Sequence, residues 1–169
     1  MATATISYSS NTTITVDLAN LASSSTFVAG RESSQVDNTT NKYIDAQVSG
    51  TISVGTTPTA NTQINVYVWG ADTSLATTAI DVLDGTDSAE TLTNTGVLAS
   101  LKVGAVISVL ATTSDVAYPV LPFSVAALFG GNMPKYWGLY VAHNTGANLR
   151  NTAVNTNGLE YVGIKYDIA

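Results

Sequence analysis

Apolar and polar residues alternate without a break from Tyr43 to Val54. Ile44, Ala46, Val48, Gly50, Ile52 and Val54 fall on one side, and Tyr43, Asp45, Gln47, Ser49, Thr51 and Ser53 on the other. Successive side chains of a strand point to opposite faces, so this spacing predicts a long strand with one buried face. The same period returns along the chain. Ala4, Ile6 and Tyr8 alternate with Thr and Ser, and Ile14, Val16 and Leu18 do so after Ser10-Asn11. These predict two short strands, or an extended arm over Met1 to Ser10 followed by one strand. Ile64, Val66 and Val68 alternate against Gln63, Asn65, Tyr67 and Trp69. Pro58, in the loop Gly55 to Ala60 before them, is barred from a central ladder, so the two long segments read as a hairpin. Leu101, Val103, Ala105, Ile107 and Val109 predict another strand, and Val106 and Leu110 on its second face predict cover from both sides. Trp137, Leu139 and Val141 mark the next. Leu159 to Ile168 is the last, with Val162, Ile164, Tyr166 and Ile168 on one face.

Turn chemistry separates these runs. Leu21 to Phe27 is interrupted by Ser23-Ser24-Ser25 and reads as a loop or a single helical turn, and Asp37 to Asn41 is a turn cluster. Asp72 to Thr95 is polar and irregular, with Asp84-Gly85 as its strongest turn signal; connections of that length are often functional. Tyr118 to Pro134 holds three of the four prolines. Within it, Ser124 to Phe129 reads as a short helix capped by Ser124 and stopped by Gly130-Gly131. About seven or eight strands at these spacings, without a long amphipathic helix, predict an all-β fold. The expectation is one antiparallel β-sandwich domain over residues 1–169, with jelly-roll topology and Greek-key crossings.

Composition narrows the setting. Hydrophobic residues make up 45% of the chain and charged residues 11%, less than half the usual quarter, so solubility rests on Thr, Ser and Asn. Such a surface is common on proteins that stand outside cells or pack into large assemblies. The net charge is −6 and no two of the six Lys and Arg are adjacent, so no stripe tracks a phosphate backbone and direct nucleic-acid binding is not expected. The chain has no cysteine, which removes disulfides and thiolate metal sites. No apolar run approaches the roughly 20 residues that span a bilayer as a helix. Met1 to Thr5 has neither the basic region nor the apolar core of a signal peptide, which predicts synthesis in a host cytoplasm and no membrane partner.

Candidate chemistry is sparse. His143 is the only histidine, and no Gly-x-Ser-x-Gly elbow accompanies it, so a strand-end histidine with local hydrogen bonds is expected rather than a catalytic base. Asp81, Asp84, Asp87 and Glu90 form an acidic cluster whose spacing misses that of a calcium loop. Nothing selects a glycosidase pair from twelve scattered acids, and no glycine motif cradles a phosphate. No catalytic, cofactor-binding or metal-ligating residue is therefore assigned, and no cofactor is implied. The aromatic residues say more. Tyr67 and Trp69 share the face opposite Ile64, Val66 and Val68, while Tyr136 and Tyr140 share the face opposite Trp137, Leu139 and Val141. These four are the interface candidates: large aromatics on an outer face bury against another chain or stack on a sugar, unless the molecule's own loops cover them.

Two segments carry a resemblance. One is Ala29-Gly30-Arg31-Glu32-Ser33-Ser34, leading through Val36-Asp37-Asn38-Thr39 into the long strand. The other runs from Leu128-Phe129-Gly130-Gly131-Asn132-Met133-Pro134 through Lys135-Tyr136-Trp137-Gly138-Leu139 to His143-Asn144-Thr145-Gly146. Together they resemble small virion structural proteins of tailed bacteriophages, a group that includes β-sandwich decoration, or cement, proteins. The resemblance implies a non-enzymatic role on the capsid surface, with the major capsid protein and copies of the chain itself, as a homotrimer, for partners. It transfers no catalytic residue. The rival expectation is a receptor- or carbohydrate-binding module of a tail or fibre, using Tyr67, Trp69 or the Asp72 to Thr95 loop.

Overall fold

The alternating segment forms a strand, β5 (Asp45–Ser53), and its period holds where the outer face of the strand is open. Ala46, Val48 and Ile52 are buried and Gln47 is exposed. Two positions depart from the period. Ile44 lies just outside the strand and is 41% exposed, while Ser53 is fully buried. The outer side of the strand's end is covered by the chain at Asn148–Arg150: Arg150 N–H donates to the Ser53 carbonyl at 3.0 Å, and Val54 bridges Leu149.

The computed structural model describes residues 3–150 and 158–168. The other strands are β1 (Ala4–Tyr8), β2 (Thr12–Ile14), β3 (Ala29–Glu32), β4 (Val36–Asp37), β6 (Thr62–Ala71), β7 (Ser88–Thr91), β8 (Lys102–Val109), β9 (Ala117–Ser124), β10 (Tyr136–His143) and β11 (Gly158–Ile168). They form two antiparallel sheets packed as a sandwich, and the fold is all-β. The five-stranded sheet runs β1-β11-β5-β9, with β2 also on β11; the six-stranded sheet runs β7-β3-β10-β6-β8, with β4 also on β10. Ile14, Ala46, Val48, Ile52, Val120 and Leu159 from the first meet Ile64, Val66, Val68, Leu139 and Val141 from the second in the core between them.

β5 and β6 are not the predicted hairpin. They belong to different sheets and face each other across the core, because the connection holding Pro58 crosses from one layer to the other. β1 pairs along its whole length with β11, from Ala4 opposite Ile168 to Tyr8 opposite Ile164, so the described part of the N-terminal segment is a strand of the chain's own sheet. Residues 151–157 of the Asn-rich segment lie outside the described residues.

The prediction that the Leu101 to Leu110 strand is covered on both sides is overturned. β8 is the edge of its sheet, and Val103, Val106 and Leu110 are exposed by 50% or more. The register slips between Val66 and Tyr67, which leaves Gly104 without a partner and turns Val103 to the outer face; one extra residue in a strand reverses which face each side chain takes. A second slip, opposite Ser49, places Leu121-Pro122 in a bulge of β9, a position where proline's missing N–H costs no ladder bond.

The expected helix is present as α2 (Val125–Leu128). The Ser124 hydroxyl accepts from Ala127 N–H, Asp45 accepts from Ala126 N–H, and Gly130 and Gly131 leave the helix at φ +70° and +87°. A second helix, α1 (Thr95–Ser100), is not foreshadowed by any period. It is one short turn set by Asn94, whose side-chain oxygen accepts from Gly96 and Val97 N–H.

Replacing Val48 or Ile52 with Asp is expected to abolish soluble folded protein, because an unpartnered buried carboxylate costs several kcal/mol against a total stability of roughly 5–15 kcal/mol. Gln47→Asp is expected to leave the melting temperature nearly unchanged. Ser53→Asp separates burial from strand period: by period it is harmless, whereas its burial in the structure predicts a loss comparable to that at Val48.

Candidate interaction surface

The aromatic candidates are placed by two central strands. In β6, the run Ile64-Asn65-Val66-Tyr67-Val68-Trp69 is buried on both faces, and in β10 so is Trp137 to His143. Tyr67, Trp69 and Tyr140 point away from the sandwich core but do not reach solvent; only Tyr136 is partly exposed. They form a second apolar layer with Leu75, Leu83, Leu92, Leu101 and Ala142. Phe27, Ile80, Val82, Val97 and Leu98 close its rim. Tyr67 and Tyr140 pack with ring centroids 6.3 Å apart, Tyr67 Oη accepts from Asn65 Nδ2, and Tyr140 Oη donates to the Val28 carbonyl. As a recognition face, then, Tyr67, Trp69 and Tyr140 are sealed. The stretch read as an irregular polar loop is their lid.

Side chains of the first resemblance segment fasten that lid. Glu32, itself fully buried, accepts from Asp84 N–H and Gly85 N–H, both at 3.0 Å. Arg31 pairs with Asp87 at 2.6 Å, and the Asp87 carboxylate also takes Asp17 N–H. Gln35 N–H donates to the Gly85 carbonyl, its amide oxygen accepts from Leu75 N–H, and its amide nitrogen donates to Ser74 Oγ. Between them these three residues engage five residues of the lid, from Ser74 to Asp87. Neutral and charged hydrogen bonds of this kind, once both partners are desolvated, are costly to break singly.

The two segments that carry the resemblance are neighbours in space. β10 pairs with β3 (Tyr140 opposite Glu32, Val141 opposite Arg31) and with β4 (Tyr136 opposite Asp37, Trp137 opposite Val36). Two glycines of the segments permit the contact. A Cβ on Gly30 would lie 2.5 Å from the Val141 carbonyl oxygen and 2.7 Å from the Tyr140 ring, and one on Gly138 would lie 2.4 Å from the Trp69 ring. Ser33 closes the junction: its N–H donates to the Leu139 carbonyl and its Oγ accepts Leu139 N–H, both at 2.9 Å. The two segments thus serve packing and fastening.

The other polar candidates fall in separate places. His143 ends β10 fully buried, with Nε2 2.9 Å from the Leu21 carbonyl and Nδ1 3.0 Å from Thr145 Oγ1; burial lowers its pKa. Asp84 accepts from Thr86 N–H and Glu90 from Ser88 Oγ, each within its own turn or strand, while Asp81 accepts from Thr93 N–H twelve residues on. Among the described residues, no group of three or more His, Asp or Glu is placed to hold a metal ion.

Solvent-facing apolar surface is concentrated in two other places. The first is a ribbon: beyond Ile164, β11 has left β5 and pairs with β1 alone. Its outer face carries Ile6, Tyr8, Tyr166 and Ile168, exposed by 58–78%. The second is a groove of about 480 Å³ where the edges β8 and β9 meet, lined by Val106, Ile107, Pro119, Leu121, Pro122 and Phe123 among others. No signal in the period marks either as exposed, since the residues involved alternate as buried ones do.

Burial of Glu32, reinforced by the nearby Asp84 and Glu90 charges, raises its pKa to about 7 against the opposing pull of its two backbone hydrogen bonds. A folded-state pKa above the unfolded value means that the stabilising contribution is complete below about 4.5 and is lost as pH rises through about 7. His143 works in the opposite direction, so the difference between wild type and Glu32→Gln isolates the carboxyl. Relative to that variant, the wild type is expected to lose on the order of 3 kcal/mol between pH 4.5 and pH 8, read from denaturant midpoints. A pH-independent difference would contradict the account of Glu32.

No protein-family model, curated protein or solved structure matches the chain.

Proposed function

We propose that the protein is a non-enzymatic virion structural component: a cement protein that binds the outer face of an assembled capsid and stabilises it. The observation that supports this reading most is the distribution of apolar surface. Ile6, Tyr8, Tyr166 and Ile168 on the ribbon and Val103, Val106, Leu110 and Leu121 along the β8–β9 edge are all at least half exposed. Contiguous apolar surface on an otherwise polar exterior marks contact with other macromolecules. The polar residues of the two resemblance segments are engaged in holding the fold, which suits a rigid structural element. The likeness of those segments to phage virion proteins points the same way.

On this reading the partners are the major capsid protein and further copies of the chain, at the surface of the virion, without direct contact to nucleic acid or membrane. Cement proteins act by adding contact area across the seams of a shell, and symmetry multiplies each contact. With charged residues at 11% of the chain, that contact is mainly apolar and hydrogen-bonded. The rival reading as a sugar- or receptor-binding module gains no specific observation, since Tyr67, Trp69 and Tyr140 are under the lid.

Purified protein mixed with shells that lack it is expected to bind saturably and to raise the temperature at which the shells rupture. Binding is expected to persist at about 1 M salt, where the screening length falls to about 3 Å and an electrostatic attachment would release. Absence of shell binding together with binding to host glycans or cells would overturn the reading in favour of an adhesin.

A further inference from the structure

We infer that copies of the chain assemble head-to-tail into a closed ring, the β1–β11 ribbon of one copy seated in the β8–β9 groove of the next. Of the large apolar side chains that are well exposed among the described residues, all but Ile44, Val103 and Leu110 belong to these two surfaces. They lie on opposite sides of the molecule, because β1 and β9 are the two edges of one sheet. One projects and the other is concave. The ribbon runs past the sheet as two strands with no third, an arrangement that is marginal in water without a covering surface. The groove has room for large side chains, and none of its lining residues is charged.

Complementary shape selects a second copy as the occupant, since one chain carries both the projecting ribbon and the charge-free groove. Every copy carries −6, so copies repel except where they meet through charge-free surface. The ribbon's outer face (Ala4, Ile6, Tyr8, Ile164, Tyr166, Ile168) is such a surface, with Lys165 and Asp167 paired to each other on its opposite face. A single contact type then covers ribbon and groove on every copy and leaves Val103 and Leu110 exposed for a shell, whereas ribbon-to-ribbon pairing would leave every groove open. A head-to-tail contact generates a ring when its rotation closes. Strand addition is not the mode of contact, since Pro119, Pro122 and the bulge interrupt the β9 edge.

The test uses the full chain in solution without shells, so its outcome is independent of whether the protein binds a capsid. Mass is measured by light scattering on a sizing column. The wild type is expected to be a discrete closed oligomer of three or more copies, and a ribbon variant (Tyr166→Asp with Ile6→Ser) and a groove variant (Leu121→Asp with Val106→Ser) are each expected to be monomers. Mixed in equal amounts, the two variants are expected to form a one-to-one dimer, because each keeps the surface the other lacks. All four positions are exposed, and circular dichroism checks that the variants fold; Ile168→Ser and Leu121→Ser serve should either pair fail. A monomeric wild type at high micromolar concentration, growth without a limiting mass, or a groove variant that keeps the wild-type mass would each overturn the inference.

Discussion

The middle of the six-stranded sheet is apolar on both faces, and the rest of the fold answers to that constraint. β6 and β10 send Ile64, Val66, Val68, Leu139 and Val141 into the sandwich and Tyr67, Trp69 and Tyr140 out of it. A sandwich buries one face of each sheet; the second face here needs a third layer. Covering a large side chain is worth about 1.5–3 kcal/mol, so three aromatics left in water would forfeit much of a domain's net stability. The lid from Asp72 to Leu101 supplies the cover, using a few leucines set among polar residues. One part of it, β7, extends the sheet beside β3, and the rest lies across the aromatic face with its polar stretches outside.

That constraint also separates what could be read in the sequence from what could not. The period of β5 was legible because both sides of most of that strand are what the period says, and the Ser124 cap with Gly130-Gly131 was legible because local chemistry decides it. An apolar run on both faces signals a doubly covered strand; the signal belonged to β6 and β10, while the same pattern in β8 misled. The difference is a bulge at Gly104 and a place at the sheet's edge, and neither is visible in spacing. Leu75, Ile80, Leu83 and Leu92 were the lid's signature, but their separations of three to nine residues match no regular element. For the same reason Tyr67, Trp69 and Tyr140 resembled an exposed recognition face. The partner that buries them is a long-range contact, and periodicity carries only local information.

The fastening of the lid gives the polar motif residues a physical role. Arg31, Glu32 and Gln35 sit in or next to β3, a short strand between β7 and β10, and reach the lid from its inner margin. Glu32 is the costly member, a carboxyl held out of water by two backbone donors. Its environment favours the protonated form near neutrality, so the lid's attachment carries a built-in dependence on pH. Gly30 and Gly138 make the approach of β3 and the aromatic layer to β10 sterically feasible. With the aromatic face sealed, the exposed apolar surface lies mainly on the ribbon at the β1 edge and in the groove between the β8 and β9 edges. The ribbon and groove surfaces carry the proposed role of joining other proteins, while Arg31, Glu32 and Asp87 are engaged in internal bonds.

Imaging of shells saturated with the protein tests that account most directly. The account predicts sandwich-shaped density on the outer shell surface, arranged as closed rings at symmetry positions, with the β1–β11 ribbon of each copy inside its neighbour's groove. Density confined to a tail or fibre, or isolated copies whose ribbons and grooves both face solvent, would contradict it.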